Sequence, residues 1–165
     1  MTCARSAPGR RRLTLEHHHA VAIAARFDGL PAGVTRKSQL LAAFKQATEA
    51  LGVSARLRDV VDTLMSWSPE QDWLGDSRPI VWPSNQRLQD AWGVSKRQVQ
   101  NILTSLIRLG LIAAVDGTEG RRWGTRDKEG RIIEAYGFDL SPLSVRFQEF
   151  VAAAAEYRKR CAQRD

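Results

Sequence analysis

Five polar side chains near the middle of the chain are of the types that read nucleic-acid bases. They follow Ser95 at spacings that fit one helical face, and they are Lys96, Arg97, Gln100, Asn101 and Thr104. Lysine and arginine donate to guanine, glutamine and asparagine pair with adenine through two hydrogen bonds, and threonine also reaches phosphate. A helix face exposed only to water would favour glutamate and lysine. The two amides therefore favour double-stranded DNA as the ligand.

The elements that must position these side chains form a helix-turn-helix. Apolar residues behind the polar face are Val99, Ile102, Leu103, Leu106, Ile107 and Leu109. Ser95 is a helix cap, and Gly110 provides the left-handed exit. A shorter helix capped by Ser84 precedes the turn Gly93-Val94-Ser95. The spacing predicts a reading helix that starts near Ser95 and enters the major groove.

A basic hairpin is predicted to follow the reading helix. Residues 111–115 and 121–126 are compatible with strands and flank a glycine-containing loop, so we interpret them as the two strands of a wing. From Ser95 to Arg126 six positive residues stand against two negative ones. We expect Arg121, Arg122 and Arg126 to hold phosphates or the minor groove, with Ser84 and Asn85 also at the DNA interface. The predicted fold is mainly α with a small β-hairpin wing, a winged helix-turn-helix.

The remaining pattern divides the chain into three parts. Residues 1–35 are interrupted by proline and glycine, and we expect a flexible basic arm there. Residues 36–140 form the DNA-binding domain, which starts with a helix from Lys37 to Gly52 and a second helix capped by Ser54. Residues 141–165 form a C-terminal helix that begins at Ser141-Pro142 and runs to about Arg160.

Composition narrows the class of protein. The chain has 165 residues and a net charge of +7, which suggests a polyanionic partner. It contains no apolar run long enough to span a membrane. Cys3 and Cys161 lie near opposite termini and form no disulfide framework. The first residues, Met1 to Arg12, are basic but lack a secretory apolar stretch, so we expect a cytoplasmic protein.

No set of residues indicates catalysis. His17, His18 and His19 are consecutive and would point in different directions on a helix, without other metal ligands nearby. Glu70, Asp72 and Asp76 are expected to form a solvated acidic loop. No phosphate-binding glycine loop or nucleophile elbow occurs. We therefore expect no enzymatic activity, no metal and no cofactor.

Several segments resemble one family of plasmid proteins. These are ALGVSARLRDVVDTLMSW, IVWPSNQRL, WGVSKRQVQNILTSLIRLGLI and RDKEGRIIEAYGFDLSPL. In this order they resemble the N-terminal domain of the replication initiator protein C of repABC-type plasmids, over about Lys37 to Val145. The resemblance implies a winged-helix module that helps recognise the plasmid origin, which in that family lies within the initiator's own coding region.

The chain departs from that family in two ways. Its reading helix is SKRQVQNIL where the family is rich in arginine, and its wing tip is TEGRRW where the family has an Asn-Gly-Lys-Arg-like tip. We also expect this chain to act without the second domain of the longer family initiators. One alternative is a stand-alone transcriptional regulator that forms a homodimer through the apolar side of the last helix, with Val145, Phe147, Phe150, Val151, Ala154 and Tyr157. Another is a protein-interaction module that turns its wing and basic helix toward a protein.

Overall fold

The structure, a computed structural model, describes residues 14–117 and 120–164. These residues form a mainly helical protein with a small antiparallel sheet. Its elements are α1 (Leu15–Ala24), α2 (Lys37–Leu51), α3 (Ala55–Ser66), the 3-10 turn η1 (Glu70–Trp73), β1 (Ile80–Val81), α4 (Asn85–Trp92), α5 (Lys96–Arg108), β2 (Ala113–Val115), β3 (Trp123–Arg126), β4 (Ile132–Asp139), α6 (Pro142–Val145) and α7 (Phe147–Gln163).

Helices α2 and α3 follow their sequence signals. The φ angle of Gly52 is +69°, so this residue ends α2 in the left-handed conformation that glycine adopts without strain. The hydroxyl of Ser54 accepts a hydrogen bond from the Leu57 amide at 3.2 Å and caps α3. Both helices bury their apolar stripes, including Leu40 and Leu64. The predictions for this part of the chain are confirmed.

Helices α4 and α5 form the predicted pair around a tight turn. Gly93 has a φ of +63°, and the Ser95 hydroxyl accepts from the Gln98 amide at 3.2 Å. The Gln98 side chain returns to accept from the Ser95 amide at 2.9 Å, which completes a capping box. The residues buried behind α5 are Val99, Ile102, Leu103, Leu106 and Ile107. The start of α5 is thus fixed both by its cap and by its packing.

The sheet differs from the predicted hairpin. Strand β2 does not pair with β3, and both strands pair antiparallel with β4, in registers that include Val115↔Gly137 and Trp123↔Tyr136. The wing prediction is therefore wrong in its strand pairing. Strand β4 has eight residues, so its last part pairs with β1 and β2 while its first part pairs with β3. The true hairpin is β3–β4, which we call the β3–β4 hairpin, with its turn at residues 127–130.

The position of Gly137 explains the tight packing of β1 on β4. A Cβ atom there would lie 2.1 Å from the carbonyl oxygen of Val81. No side chain fits at that distance, so only glycine lets the two strands approach. Together, α4, α5 and the sheet have an arrangement that is consistent with a winged helix.

The predicted N-terminal arm is wrong from residue 14 onward. Helix α1 is capped by Thr14 and packs on α5, β2 and α6, with Ala20 fully buried. Arg78 donates to the Ala24 carbonyl at 2.8 Å and to Asp139 at 3.2 Å, which links the end of α1 to the sheet. Apart from Ile23, the core-facing residues of α1 are small or polar, so the sequence lacks a strong apolar stripe there. Residues 1–13 of the predicted arm lie outside the described residues.

The C-terminal helix is split and does not offer the predicted dimer surface. It starts at Pro142 as expected, but a break at Arg146 separates α6 from α7, which continues to Gln163. The Ser141 side chain does not cap it, and the Ser141 amide donates to Asp139 at 2.9 Å instead. Phe150 and Ala154 are buried against α2, where the rings of Phe44 and Phe150 meet at 5.6 Å. A homodimer through this stripe is not supported, because the same chain already buries Phe150 and Ala154 in its middle, and Val151 is the stripe residue that stays most exposed, at 43%.

Candidate nucleic-acid interface

The outer face of α5 is open. All of its predicted reading residues are exposed: Lys96, Arg97, Gln100, Asn101 and Thr104. Within residues 14–117 and 120–164, no side chain forms a hydrogen bond or an ion pair with any of these five side chains. The Ser105 hydroxyl donates to the backbone carbonyl of Asn101, which does not involve the Asn101 side chain. The α5 face therefore presents donors and acceptors whose hydrogen-bonding capacity is available to a ligand.

The far end of α5 is held by Arg146, a residue that the sequence analysis did not single out. Its guanidinium donates to the carbonyls of Leu109 at 2.8 Å and Gly110 at 3.1 Å, which are the carbonyls left unpaired where the helix ends. It also forms a bidentate pair with Glu149, at 2.7 and 3.0 Å. The hydrogen bond from Arg146 lowers the pKa of the Glu149 carboxyl. Arg146 thereby links the end of α5 to α7.

Two other predicted contact residues bind each other. Arg122 donates to the side-chain oxygen of Asn85 at 2.9 Å and to the carbonyl of Pro83 at 3.0 Å. Its guanidinium also lies 4.9 Å from the centre of the Phe138 ring. Ser84 is exposed, and its hydroxyl accepts from the Arg87 amide at 3.1 Å as the cap of α4. Arg122 thus fastens the segment before β3 to the start of α4.

Arg126 is occupied inside the protein. It donates to both carboxylate oxygens of Asp72, at 3.0 and 2.9 Å, and to the carbonyl of Gly130 at 2.7 Å. Asp72 is completely buried, so the expectation of a solvated acidic loop is wrong for this residue. A buried carboxylate requires such a partner, because an isolated charge is strongly destabilised away from water. Arg126 joins the β3–β4 hairpin to η1, and its donors are used by acceptors of the same chain.

The two faces of the β3–β4 hairpin differ in what they cover. On the inner face Gly124 lies against the Trp82 indole, and Arg126 stacks over the same ring at 5.2 Å. On the outer face the rings of Trp123 and Tyr136 are 5.2 Å apart, and Trp123 remains 41% exposed. The Tyr136 hydroxyl donates to Glu134, and this hydrogen bond raises the pKa of Tyr136.

Arg121 lies just before β3 and is exposed. It makes no hydrogen bond or ion pair with another residue of the described part of the chain. Of the three arginines predicted for the wing, this is the one whose donors stay available. The predicted site therefore separates into an open set, on α5 and at Arg121, and an internal set formed by Asn85, Arg122 and Arg126.

Other candidate features give no second site. His17 is buried in α1 while His18 and His19 are exposed. Over the described ranges, no three histidine, cysteine, aspartate or glutamate side chains lie close enough together to bind one metal ion. In the same part of the chain, no helix is both long and apolar enough to cross a membrane.

Comparison with known proteins places the chain in a family. The family described as "Replication protein C N-terminal domain" matches residues 11–165. A protein of Sinorhizobium fredii (strain NBRC 101917 / NGR234) named "Putative replication protein C" is 36% identical over 120 residues, 72% of this chain and 30% of the relative. A protein of Rhizobium rhizogenes with the same name is 35% identical over 111 residues, 67% of this chain and 27% of the relative.

The chain spans less than a third of the length of these curated relatives. No solved structure matches it significantly. The family match nevertheless covers helices α1–α7 and all four strands. The chain belongs to the replication protein C family, as its N-terminal domain.

Proposed function

We propose that this chain is a winged helix-turn-helix module that binds double-stranded DNA in a sequence-specific manner and recognises a plasmid replication origin. The observation that carries the proposal is the open face of α5, where five side chains of base-reading types have no partner among the described residues. On the same helix the opposite face is buried without interruption. The polar face is thus available to enter a groove as one rigid surface.

The chemistry of this face fits the major groove. Lys96 and Arg97 lie in the first turn of α5, where the N-terminal end of a reading helix meets base edges. Arginine and lysine recognise guanine, and Gln100 and Asn101 can each pair with adenine through two hydrogen bonds. Arg121, close to the β3–β4 hairpin, supplies a positive charge for the adjacent backbone. The mode of binding combines base reading by α5 with phosphate contacts beside it.

The family supports a role in replication, because the matching relatives are named replication protein C, and the resemblance to repABC-type initiators makes plasmid replication the role that we propose. Origin recognition is the step that this domain's surface can perform. We propose that the chain acts without enzymatic chemistry and without a cofactor, in the bacterial cytoplasm, bound to plasmid DNA.

Selection of bound duplexes from a random pool tests the proposal. We expect the purified chain to enrich one sequence motif, and we expect Arg97→Glu to lose that motif. The matched control is Arg56→Glu, which makes the same charge change on the exposed surface of α3 and should keep the motif. If the unmodified chain enriches no motif, or if both variants behave alike, sequence-specific binding through α5 is refuted.

A second arm tests origin recognition. The resemblance to the family implies a site within the coding region of the initiator itself. Nuclease protection on the whole open reading frame that includes the DNA encoding this chain should therefore show one protected segment that contains the selected motif. Protection at scattered positions, or none above that of unrelated DNA of equal length, would contradict the assignment to an origin.

A further inference from the structure

Arginine side chains stack on aromatic rings at five places in the described residues. The pairs are Arg78 with Phe27, Arg87 with Trp67, Arg122 with Phe138, Arg126 with Trp82 and Arg146 with Phe150. Such stacking uses the flat face of the guanidinium and leaves its five N–H donors in the plane. The donors of a stacked arginine are therefore held in a fixed orientation, ready for acceptors at the edge of the group.

In four of these pairs the chain itself provides the acceptors. Arg78 donates to Ala24 and Asp139, and Arg146 donates to Leu109, Gly110 and Glu149. The two arginines of the internal set described above also donate to carbonyl, amide or carboxylate oxygens. In these four pairs the stacked arginine thus donates its N–H groups to oxygens of the same chain.

Arg87 is the exception. Its guanidinium lies 4.2 Å from the centre of the Trp67 ring, the shortest such distance of the five. It is exposed, and no oxygen in the described part of the chain accepts a hydrogen bond from its side chain. The stack therefore holds a planar set of donors that have no acceptor among residues 14–117 and 120–164. This pattern points to an external anion.

We infer that Arg87 binds a phosphate of the DNA backbone, as a preorganised contact made by α4 while α5 reads the bases. The inference rests on the proposed function. Arg87 lies in the first turn of α4, which packs directly on α5. In helix-turn-helix proteins the first of the two helices crosses the backbone. The fork of an arginine matches two phosphate oxygens, and its stack on Trp67 reduces the side-chain entropy lost on binding.

The salt dependence of binding to a short duplex of random sequence gives the test. Each phosphate contact adds about 0.9 to the magnitude of the slope of log K against log salt concentration. We expect Arg87→Gln to reduce that slope by about 0.9 while the preference for the selected motif over random sequence stays unchanged. The matched control is Arg56→Gln, which removes an equally exposed positive charge from α3 and should keep the slope.

Two more variants distinguish the effect of the Arg87 charge from the effect of the fixed orientation that the Trp67 stack gives its guanidinium. Arg87→Lys keeps the charge but loses the planar fork, so the slope should stay and the affinity should fall several-fold. Trp67→Leu removes the stacking ring and should also lower the affinity at an unchanged slope. Trp67 is partly packed against the core, so the thermal unfolding of the Trp67→Leu variant is measured together with its affinity. The Arg87 variants keep Trp67 and test the proposal even if Trp67→Leu unfolds.

The outcomes distinguish the two proposals. If the unmodified chain binds duplex DNA and Arg87→Gln has the same slope as the unmodified chain, the role of Arg87 is refuted while the proposed function stands. If Arg87→Gln and Arg56→Gln lower the slope equally, general charge explains the effect, and the role of Arg87 is again refuted. If the unmodified chain shows no salt-dependent binding at all, the proposed function itself fails.

Discussion

The sequence predicts that the outer face of α5 and the arginines of the wing form one interface, yet in the structure the cations of these two regions are used in opposite ways. On α5, Lys96 and Arg97 are exposed and bind no described residue. At the two ends of β3, Arg122 and Arg126 donate to oxygens of the same chain. The first region keeps its hydrogen-bonding capacity for a ligand, and the second uses it to hold the fold together.

Burial explains this division. Asp72 has no exposed surface, so its carboxylate must be neutralised inside the protein, and the hairpin carries the arginine that does so. The helix α5 needs no such help, because its buried face is entirely apolar and its first turn is capped by Ser95. A basic residue near DNA can therefore serve either the fold or the ligand. The predictions below separate the two roles by measuring stability and binding on the same variants.

The largest expected effect is on stability, at Arg126. We expect Arg126→Ala to lower the free energy of unfolding by about 3 to 5 kcal/mol, because it leaves the buried Asp72 carboxylate without a partner. Chemical denaturation measures this, with Arg97→Ala as a control that should stay within about 0.5 kcal/mol of the unmodified chain. The double variant Asp72→Leu/Arg126→Met removes both charges and should recover much of the loss.

A loss of less than about 1 kcal/mol in Arg126→Ala would show that the pair is not structural, since surface pairs contribute no more than that. A reduced salt slope of DNA binding in the folded variant would likewise move Arg126 to the ligand-binding region. Either result would contradict the assignment of Arg126 to the internal set.

The next effect is on sequence recognition, at Gln100 and Asn101. Each single change to alanine should weaken binding to the selected site by about 1 to 3 kcal/mol, because a bidentate pair with a base is lost. Binding to random duplexes should change little, so the preference between the two DNAs falls. Competition between labelled selected and random duplexes measures it. If the preference survived both changes, either another element or another face of α5 would read the bases.

A smaller effect on stability is expected at Arg122. Its loss removes charge-assisted hydrogen bonds to Asn85 and Pro83. Because Arg122 is partly exposed, Arg122→Ala should lower the free energy of unfolding by about 1.5 kcal/mol, the low end of the range for such bonds. The salt slope of the folded variant should match that of the unmodified chain. Asn85→Ala, which removes one of the acceptors named above, is the matched variant and should cost less. Equal stability of Arg122→Ala and the unmodified chain would contradict the structural role.

The difference between the two regions also shows which features the sequence could predict. The apolar stripe from Val99 to Ile107, the cap at Ser95 and the exit at Gly110 are local signals, and the structure confirms them. Arg126 and Asp72 are 54 residues apart in the sequence, and no local pattern predicts their contact. The same limit applies to Arg146, which reaches the end of α5 across 36 residues.

The pairing of the strands was missed for a related reason. Strands β2 and β3 each have a β-compatible sequence and lie close together in the chain, which favours a hairpin between them. In the structure the longer β4 pairs with both, and its exposure does not alternate regularly, so the period of two that predicts a strand is absent. The sequence does not predict α1 as part of the core, because its core-facing residues, such as Ala20 and Ala24, are too small to form a clear apolar stripe.

The smallest expected effect is at Arg121, the wing arginine that remains open. Arg121→Gln should leave the free energy of unfolding within about 0.5 kcal/mol of the unmodified chain, because the residue is exposed and binds no described side chain. If it contacts one phosphate, the salt slope should fall by about 0.9 for selected and random duplexes alike. Salt titrations of both duplexes measure it, with Arg122→Gln as the neighbouring control that should lose stability and keep the slope. A fall in the slope of Arg122→Gln instead of Arg121→Gln would reverse the assignment of these two adjacent residues, and with it the boundary between the open and internal sets.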